Sequence, residues 1–104
     1  MVLIDFPFSD ESVKKLRPAL IVSSAGYHNG RREVVIAAIT SNVTRQLFGD
    51  HLVSEWRSAG LLFPSTVTGI IRTIKQSMIR RRLGCLPKAD LAHVEVALRG
   101  SLGL

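Results

Sequence analysis

An arginine stands between a basic loop and an apolar run near the start of the chain. The residues are Lys14-Lys15-Leu16-Arg17-Pro18, followed by Ala19-Leu20-Ile21-Val22. Pro18 removes a backbone donor and biases Arg17 toward an extended conformation, and the apolar run is typical of a buried strand. Arg17 is therefore expected at the mouth of a rigid strand, where its planar guanidinium can bind two phosphate oxygens. The simpler interpretation is a surface arginine that pairs with a nearby carboxylate.

Two hydroxyls follow a second apolar run, which extends from Glu33 to Ile39. Thr40 and Ser41 could hold a phosphate or an attacking hydroxyl, and Thr40 could equally cap a turn. His28 has the chemistry of a general base near neutral pH, but its position in a Gly- and Asn-containing turn favours a solvated loop residue.

Further basic and aromatic residues are of the types that bind a nucleic acid. Lys14, Lys15 and Arg72 are expected to guide a phosphate backbone, although a solvated face explains Lys14 as well. In the run 80–82, strand alternation puts Arg81 on the opposite face from its two arginine neighbours. Three aromatic side chains could stack on bases, although the last is more typical of a core: Tyr27, Phe48 and Trp56.

The elements that position these residues are mostly strands. Alternating or continuous apolar patterns predict strands over 2–8, 19–22, 33–39, 67–74 and 77–84, with a possible short strand within 52–56. The turn at 25–32 predicts a β-hairpin between the second and third strands. A helix is predicted from Pro87 to Leu102, its apolar face formed by Leu91, Val94, Leu98 and Leu102. The pattern indicates a mainly β fold, a small antiparallel barrel or bent sheet sealed by a C-terminal helix.

Composition limits the class of protein. The 104 residues, 46% of them hydrophobic, suit a single domain over 1–104. The net charge of +6 favours an anionic partner such as nucleic acid. The single Cys85 fits a reducing cytoplasm, and no apolar run is long enough for a membrane span. No signal peptide is expected, because the apolar start of the chain is followed at once by Asp5 and has no basic region before it. The three histidines and Cys85 lack metal-ligand spacing, so we expect no metal and no cofactor.

The order of several short motifs resembles the PemK/MazF-like toxins of bacterial toxin–antitoxin pairs. The most specific parts are Lys15-Leu16-Arg17-Pro18-Ala19 and Ala38-Ile39-Thr40-Ser41. The weaker parts, in chain order, are Asp5-Phe6-Pro7-Phe8-Ser9-Asp10, Gly60-Leu61, Pro64-Ser65, Arg72-Thr73-Ile74 and Leu83-Gly84. Together they cover essentially the whole chain.

The resemblance implies an SH3-like barrel, a homodimer and a metal-independent endoribonuclease that acts on single-stranded mRNA. Attack of the RNA 2′-hydroxyl would leave a 2′,3′-cyclic phosphate. The family's catalytic arginine and threonine fall on Arg17 and Thr40, and the substrate-binding set becomes Lys14, Lys15, Ser41, Ser65 and Arg72. The implied protein partner is a cognate antitoxin, with operator DNA bound only through that complex.

The chain departs from the family pattern at several positions. Lys75 stands where an acidic residue is common in the family. No charged residue lies between Ser65 and Arg72, where some members have an arginine and an aspartate. The acidic residue that is frequent before the basic motif is matched at best by Asp10 or Glu11. The first strand also begins so close to Met1 that an upstream start of the reading frame is an expectation. These differences keep two alternatives open: a non-catalytic member that binds nucleic acid or protein, and a small nucleic-acid-binding barrel without a toxin role.

Overall fold

Six strands form one antiparallel sheet in the computed structural model, which describes residues 1–6 and 15–104. The strands are β1 (Val2–Phe6), β2 (Lys15–Ile21), β3 (Glu33–Thr40), β4 (His51–Leu52), β5 (Thr66–Lys75) and β6 (Ile79–Arg82), and their order in the sheet is β4-β5-β3-β2-β1-β6. Two helices, α1 (Ala25–His28) and α2 (Lys88–Leu102), and a 3₁₀ turn (Gln76–Met78) complete the described elements.

The central strands are apolar on both faces because both faces of the sheet are covered. Leu20, Ala37 and Ile39 belong to one buried cluster, which α2 joins through Val94. Ala19 and Ile36 belong to a second cluster. This explains why β2 and β3 have continuous apolar runs rather than an alternating pattern.

The predicted mainly β architecture with a C-terminal helix is confirmed, but the described strands do not close into a barrel. β4 pairs only with β5, and β6 pairs only with β1. β4 has two residues and β6 has four, so the two edges of the sheet are short. The result is an open sheet, with a register shift between Leu3 and Ile4 where β1 meets β6.

The predicted hairpin between β2 and β3 is confirmed, with Ala19 opposite Ala38 and Ile21 opposite Ile36. Its connection contains the four-residue helix α1, which the turn signals did not predict. Ser24 caps this helix by accepting a hydrogen bond from the N–H of Tyr27.

The expected short strand within 52–56 is mostly wrong. Only His51 and Leu52 pair with β5, and turns follow from residue 54 to residue 60. The chain leaves the sheet because the N–H groups of Ser54 and Glu55 bind the carboxylate of Asp90 instead of a neighbouring strand.

The predicted C-terminal helix is confirmed, but its buried face is rotated from the predicted one. Val94 is 2% exposed and Leu98 is half-buried, whereas Leu91 and Leu102 are 39% and 58% exposed. Asp90 is 1% exposed and takes the inward position beside Val94. The hydrogen bonds to Asp90 therefore determine the orientation of the helix, and the apolar stripe does not. Gly103, with a φ of 70°, ends the helix.

None of the helices in the described part of the chain is long and apolar enough to cross a membrane.

Candidate functional site

A groove of about 250 Å³ opens at the end of the sheet where β2 begins and β3 ends. We call it the Arg17 groove, and its polar lining residues are Arg17, Ser41, Ser65 and Arg81. Exposed apolar side chains form part of its rim, with Leu16, Leu62 and Phe63 exposed by 53%, 83% and 63%. The groove therefore combines two guanidinium groups and two hydroxyls with an apolar border.

Pairing of the strands positions the two arginines. Arg17 lies opposite Ile4 in β1, and Arg81 lies opposite Leu3 on the other side of the same strand. The register shift in β1 falls between these two partners. Both arginines are solvent-exposed, and both contribute to the lining of the groove.

Ser41 and Ser65 lie next to each other across β3 and β5. Thr40 pairs with Thr66, so the residues one step beyond this pair, Ser41 and Ser65, are brought to the same end of the sheet. Ser65 is 3% exposed, and its hydroxyl donates to the carbonyl of Phe63 at 2.8 Å. In this state Ser65 offers the groove lone pairs but no hydrogen, so Ser41 is the hydroxyl better placed to donate.

Thr40 lines a second groove, of about 320 Å³, which we call the Phe48 groove. Its lining also includes Asn42, Arg45, Phe48 and Thr68. The Oγ1 of Thr40 accepts the N–H of Asn42 at 3.1 Å, which leaves its hydroxyl hydrogen available to a ligand.

The two predicted catalytic residues nevertheless share one face of the sheet. Ala19 pairs with Ala38. Arg17 lies two residues before Ala19 in β2, and Thr40 lies two residues after Ala38 in β3. Side chains two residues apart along a strand point to the same face. At the end of β3, Thr40 lines the Phe48 groove and the next residue, Ser41, lines the Arg17 groove.

The predicted substrate-binding lysines and Arg72 are spread more widely. Lys15 is exposed at the start of β2 on the same face as Arg17, since their partners in β1 are Phe6 and Ile4. Lys14 lies outside the described residues. Arg72 is exposed in β5 opposite Ile36, four residues before Thr40 in β3, and lines neither groove.

His28 lies at the other end of the sheet from Arg17. It ends α1, which follows the far end of β2, and its Nε2 lies 2.6 Å from the Oγ of Ser23. Ser23 also accepts the N–H of Val35 at 3.0 Å. The histidine therefore belongs to the connection between β2 and β3 and is remote from both grooves.

Arg81 is the site residue that the sequence interpretation left out of its substrate-binding set. Strand alternation predicted that Arg81 points to the opposite face from Arg80 and Arg82. This was the feature of the sequence that could have identified Arg81 as a separate site residue. Arg80 binds the carboxylate of Asp5, whereas Arg81 points to the groove. The pairing of β6 with β1, the last described strand with the first, determines the face to which Arg81 points.

A buried carboxylate supports the wall of the Arg17 groove. Burial alone would raise the pKa of Asp90, but hydrogen bonds from Ser54, His51 and Glu55 outweigh it and hold that pKa below its usual value. The Nε2 of His51 lies 2.7 Å from Asp90, and the N–H of Ser54 lies 2.9 Å away. The next residue back, Val53, donates its N–H to the carbonyl of Ser65 at 2.9 Å. Asp90 thereby links α2 to the segment that holds Ser65.

Within residues 1–6 and 15–104, no three His, Cys, Asp or Glu side chains converge as a metal-ligand set.

Comparisons with known proteins agree with this architecture. A family model of the PemK-like, MazF-like toxins of type II toxin–antitoxin systems matches residues 1–102. No match was found among curated proteins. Among solved structures, the chain is similar to the Mycobacterium tuberculosis toxin MazF-mt6, with 24% identity, a TM-score of 0.77, and coverage of 100% of this chain and 98% of that one.

Two similar structures contain a partner protein. One is an endoribonuclease in complex with its cognate antitoxin from a mycobacterial species, with 21% identity, a TM-score of 0.79, and coverage of 99% and 90%. The other is MazE–MazF from Deinococcus radiodurans, with 23% identity, a TM-score of 0.77, and coverage of 99% and 91%. These likenesses establish the fold, and the family model covers nearly the whole sequence. The chain therefore belongs to the PemK-like, MazF-like toxin family of type II toxin–antitoxin systems.

Proposed function

We propose that this protein is an endoribonuclease that cleaves single-stranded mRNA and thereby inhibits growth. The observation that carries the proposal is the position of Arg17, which lines a groove with a second arginine and the Ser41 hydroxyl in a chain of this toxin family. A similar solved structure is itself an endoribonuclease, which supports the same class of activity.

The reaction needs no oxidant, cofactor or covalent enzyme intermediate. The RNA 2′-oxygen attacks the adjacent phosphorus, so a P–O2′ bond forms and the P–O5′ bond breaks. The 2′-hydroxyl loses its proton, and the leaving 5′-oxygen gains one. The products are a 2′,3′-cyclic phosphate and a 5′-hydroxyl.

Arg17 acts on the charge that builds up at phosphorus. Its fork of N–H donors can bind two non-bridging oxygens of the phosphate. We assign it electrostatic stabilisation first and proton donation to the leaving oxygen second. Arg81 provides a second cation in the same groove and is suited to hold a flanking phosphate.

Thr40 and Ser41, the consecutive hydroxyl residues at the end of β3, act on the phosphate group. The Thr40 hydroxyl can donate its hydrogen to the attacking or non-bridging oxygen because its lone pair already binds the N–H of Asn42. Ser41 can donate to the phosphate held by Arg17. Lys14, Lys15, Ser65 and Arg72 remain the proposed wider RNA-binding set, with Ser65 acting as an acceptor and as a support for the groove wall.

The proposed partners follow from the same surface. A cognate antitoxin would place an acidic segment over the Arg17 groove, because carboxylates and phosphates compete for the same guanidinium groups. We also propose a homodimer, with operator DNA reached only through the antitoxin complex. The complexes solved for similar proteins support an antitoxin as the protein partner.

The test is to induce the chain in bacteria, map new RNA 5′ ends, and repeat cleavage with purified protein in excess chelator. We expect growth arrest, cuts in single-stranded mRNA, and 5′-hydroxyl and 2′,3′-cyclic phosphate ends in the presence of chelator. A divalent-ion requirement would contradict the mechanism. A protein that binds RNA without cutting it would instead support the non-catalytic alternative.

A further inference from the structure

Two glycine-containing motifs of the sequence, Gly60-Leu61 and Leu83-Gly84, meet in space although they are far apart in the chain. A Cβ at Gly60 would lie 2.5 Å from the carbonyl oxygen of Leu83, and a Cβ at Gly84 would lie 2.6 Å from the carbonyl oxygen of Ala59. An ordinary contact between carbon and oxygen is about 3.3–3.6 Å, so neither position has room for a side chain. The backbone of residues 59–60 therefore packs directly against the backbone of residues 83–84, a contact that we call the glycine crossing.

The backbone conformation at the glycine crossing also requires glycine. Gly60 has a φ of 91° and Gly84 has a φ of 152°, values that residues with a side chain rarely adopt. Close approach and positive φ thus coincide at both positions, and the two motifs are explained by the same contact.

The segments on both sides of the glycine crossing are held in place. The N–H groups of Ala59, Gly60 and Leu61 all donate to carbonyls of the turn before them, at 3.0–3.1 Å. On the other side, the N–H of Leu83 donates to the carbonyl of Met1 at 2.8 Å, which continues the pairing of β6 with β1. Because the atoms in contact are backbone atoms, no change of rotamer could make room for an added side chain.

The glycine crossing joins two segments that both line the Arg17 groove. Gly60 and residues 61–63 belong to the lining, and so do Arg81 and Leu83. Leu61 is buried and Leu83 is half-buried in the same apolar cluster. A displacement at the glycine crossing therefore changes the distance between the 61–63 segment and the end of β6 that carries Arg81.

We propose that Gly60 and Gly84 are positioning residues that set the width of the Arg17 groove, so that one bound stretch of RNA contacts both Arg81 and the 61–63 segment. This inference rests on the proposed RNA substrate. Gly60→Ala must separate the two segments by about 0.8 Å to restore an ordinary contact. A misplacement of about 1 Å can cost about 10²-fold in rate, so a change of this size matters although glycine has no side chain to bind the RNA.

Cleavage of a short RNA, and binding of the same strand with 2′-O-methyl groups, provide the test, because the methylated strand cannot undergo 2′-attack. We compare wild type with Gly60→Ala, Gly84→Ala and the double variant, each under conditions in which urea unfolding shows that it is folded. Gly30→Ala is the matched control. Gly30 has a φ of 76°, and a Cβ there would meet nothing within 4 Å, so this variant carries the cost of a positive φ without any close approach.

Gly60→Ala and Gly84→Ala should each lower kcat/KM for cleavage by about 10- to 100-fold, whereas Gly30→Ala should cleave as wild type does. The double variant should lose less than the product of the two single losses, because both substitutions open the same contact.

The effect of Arg81→Ala distinguishes a positioning role from a purely structural one. Arg81→Ala should weaken binding of the methylated strand less in the Gly60→Ala protein than in wild type, since the separated segments no longer hold one strand together. In the Gly30→Ala protein it should weaken binding as much as in wild type. A purely structural role would lower the resistance to urea and leave the effect of Arg81→Ala unchanged.

A pair of exposed residues tests the same inference in a chain that keeps both glycines. Leu62 is 83% exposed and Arg81 is also exposed, so Leu62→Ala and Arg81→Ala leave the core intact. If one stretch of RNA contacts both segments, the effects of these two substitutions on affinity are non-additive. Leu62→Ala combined with Arg80→Ala is the control and should be additive, because Arg80 binds Asp5.

Wild-type cleavage by both glycine variants would overturn the inference, and so would an equal loss in Gly30→Ala. Additive effects of Leu62→Ala and Arg81→Ala would also overturn it, and this pair decides alone if the glycine variants do not fold. Cleavage by wild type with additive effects removes only the positioning role. Non-additive binding of the methylated strand by a protein that never cleaves RNA removes only the proposed ribonuclease activity.

Discussion

Arg17 and Arg81 line the same groove although a whole strand, β1, lies between the strands that carry them. Their partners in β1 are the neighbouring residues Ile4 and Leu3. Both arginines add positive charge at this groove, which attracts an anion, so each should contribute to substrate binding in a distinguishable way.

Replacement of Arg17 by alanine should remove cleavage and growth arrest while the fold is retained. Arg17 is exposed on β2 and is not part of the buried core, and loss of one preorganised charge donor typically costs about 10²–10³ in rate. Single-turnover cleavage and a thermal melt measure the two effects. Arg32→Ala is the matched control, since Arg32 is exposed at the opposite end of the sheet. Full cleavage by Arg17→Ala would exclude Arg17 from the site.

Replacement of Arg81 should weaken RNA binding more than replacement of its neighbour Arg80. Arg81 lines the groove, whereas Arg80 binds Asp5. Loss of one phosphate contact to a single strand should reduce the slope of log affinity against log salt by about 0.7. Binding titrations of Arg81→Ala and Arg80→Ala at several salt concentrations check this. Equal slopes in the two variants would mean that Arg81 does not contact phosphate.

The sequence predicted much of this site, and its failures have local physical causes. The sequence predicted that Arg17 precedes the strand, whereas Arg17 lies within β2 and pairs with Ile4. The hydroxyls at the end of β3 followed from the predicted strand end. Alternation separated Arg81 from Arg80 but could not identify the groove face, because that depends on the irregular pairing of β6 with β1.

The orientation of α2 was harder to predict from the sequence, because it also depends on contacts between distant parts of the chain. The apolar stripe favoured Leu91 as an inward residue, whereas Asp90 is buried through hydrogen bonds to Ser54 and Glu55, some 35 residues earlier. A polar residue in a helix pattern is normally assigned to solvent, and no local signal reveals a distant set of donors.

Asp90 should make a pH-dependent contribution to stability. Its folded-state pKa is lowered, so the unfolded chain, with a value of about 3.9, takes up the proton first as the pH falls. The stabilisation is therefore fully present above about pH 5 and is lost as the pH drops through the folded-state pKa. At pH 7, Asp90→Asn should lower the free energy of unfolding by about 1.5–3 kcal/mol.

Urea unfolding of wild type and Asp90→Asn between pH 7 and pH 2 measures this contribution. The difference between the two proteins should shrink toward low pH. Glu95→Gln, an exposed acid on the same helix, should stay within about 0.5 kcal/mol of wild type. A difference that is constant over the whole pH range would assign the effect to packing rather than to the charge.

RNA and the acidic segment of an antitoxin should compete for the Arg17 groove. A fluorescent 2′-O-methyl strand bound to the toxin should be released as antitoxin is added, with an association rate that falls at high salt. Arg81→Ala should weaken both ligands, and Arg80→Ala should weaken neither appreciably. Simultaneous binding of both ligands at full affinity would mean that any inhibition acts through a change of shape.

The sheet order also determines when the groove exists during synthesis. β1 is made first, but it must pair with β6 at residues 79–82 before Arg81 can face Arg17. At about 5–20 residues per second, the ribosome needs about 4–15 s to extend the chain from one strand to the other. A nascent or prematurely terminated chain that lacks β6 therefore has the Arg17 groove without Arg81, one of its two arginines.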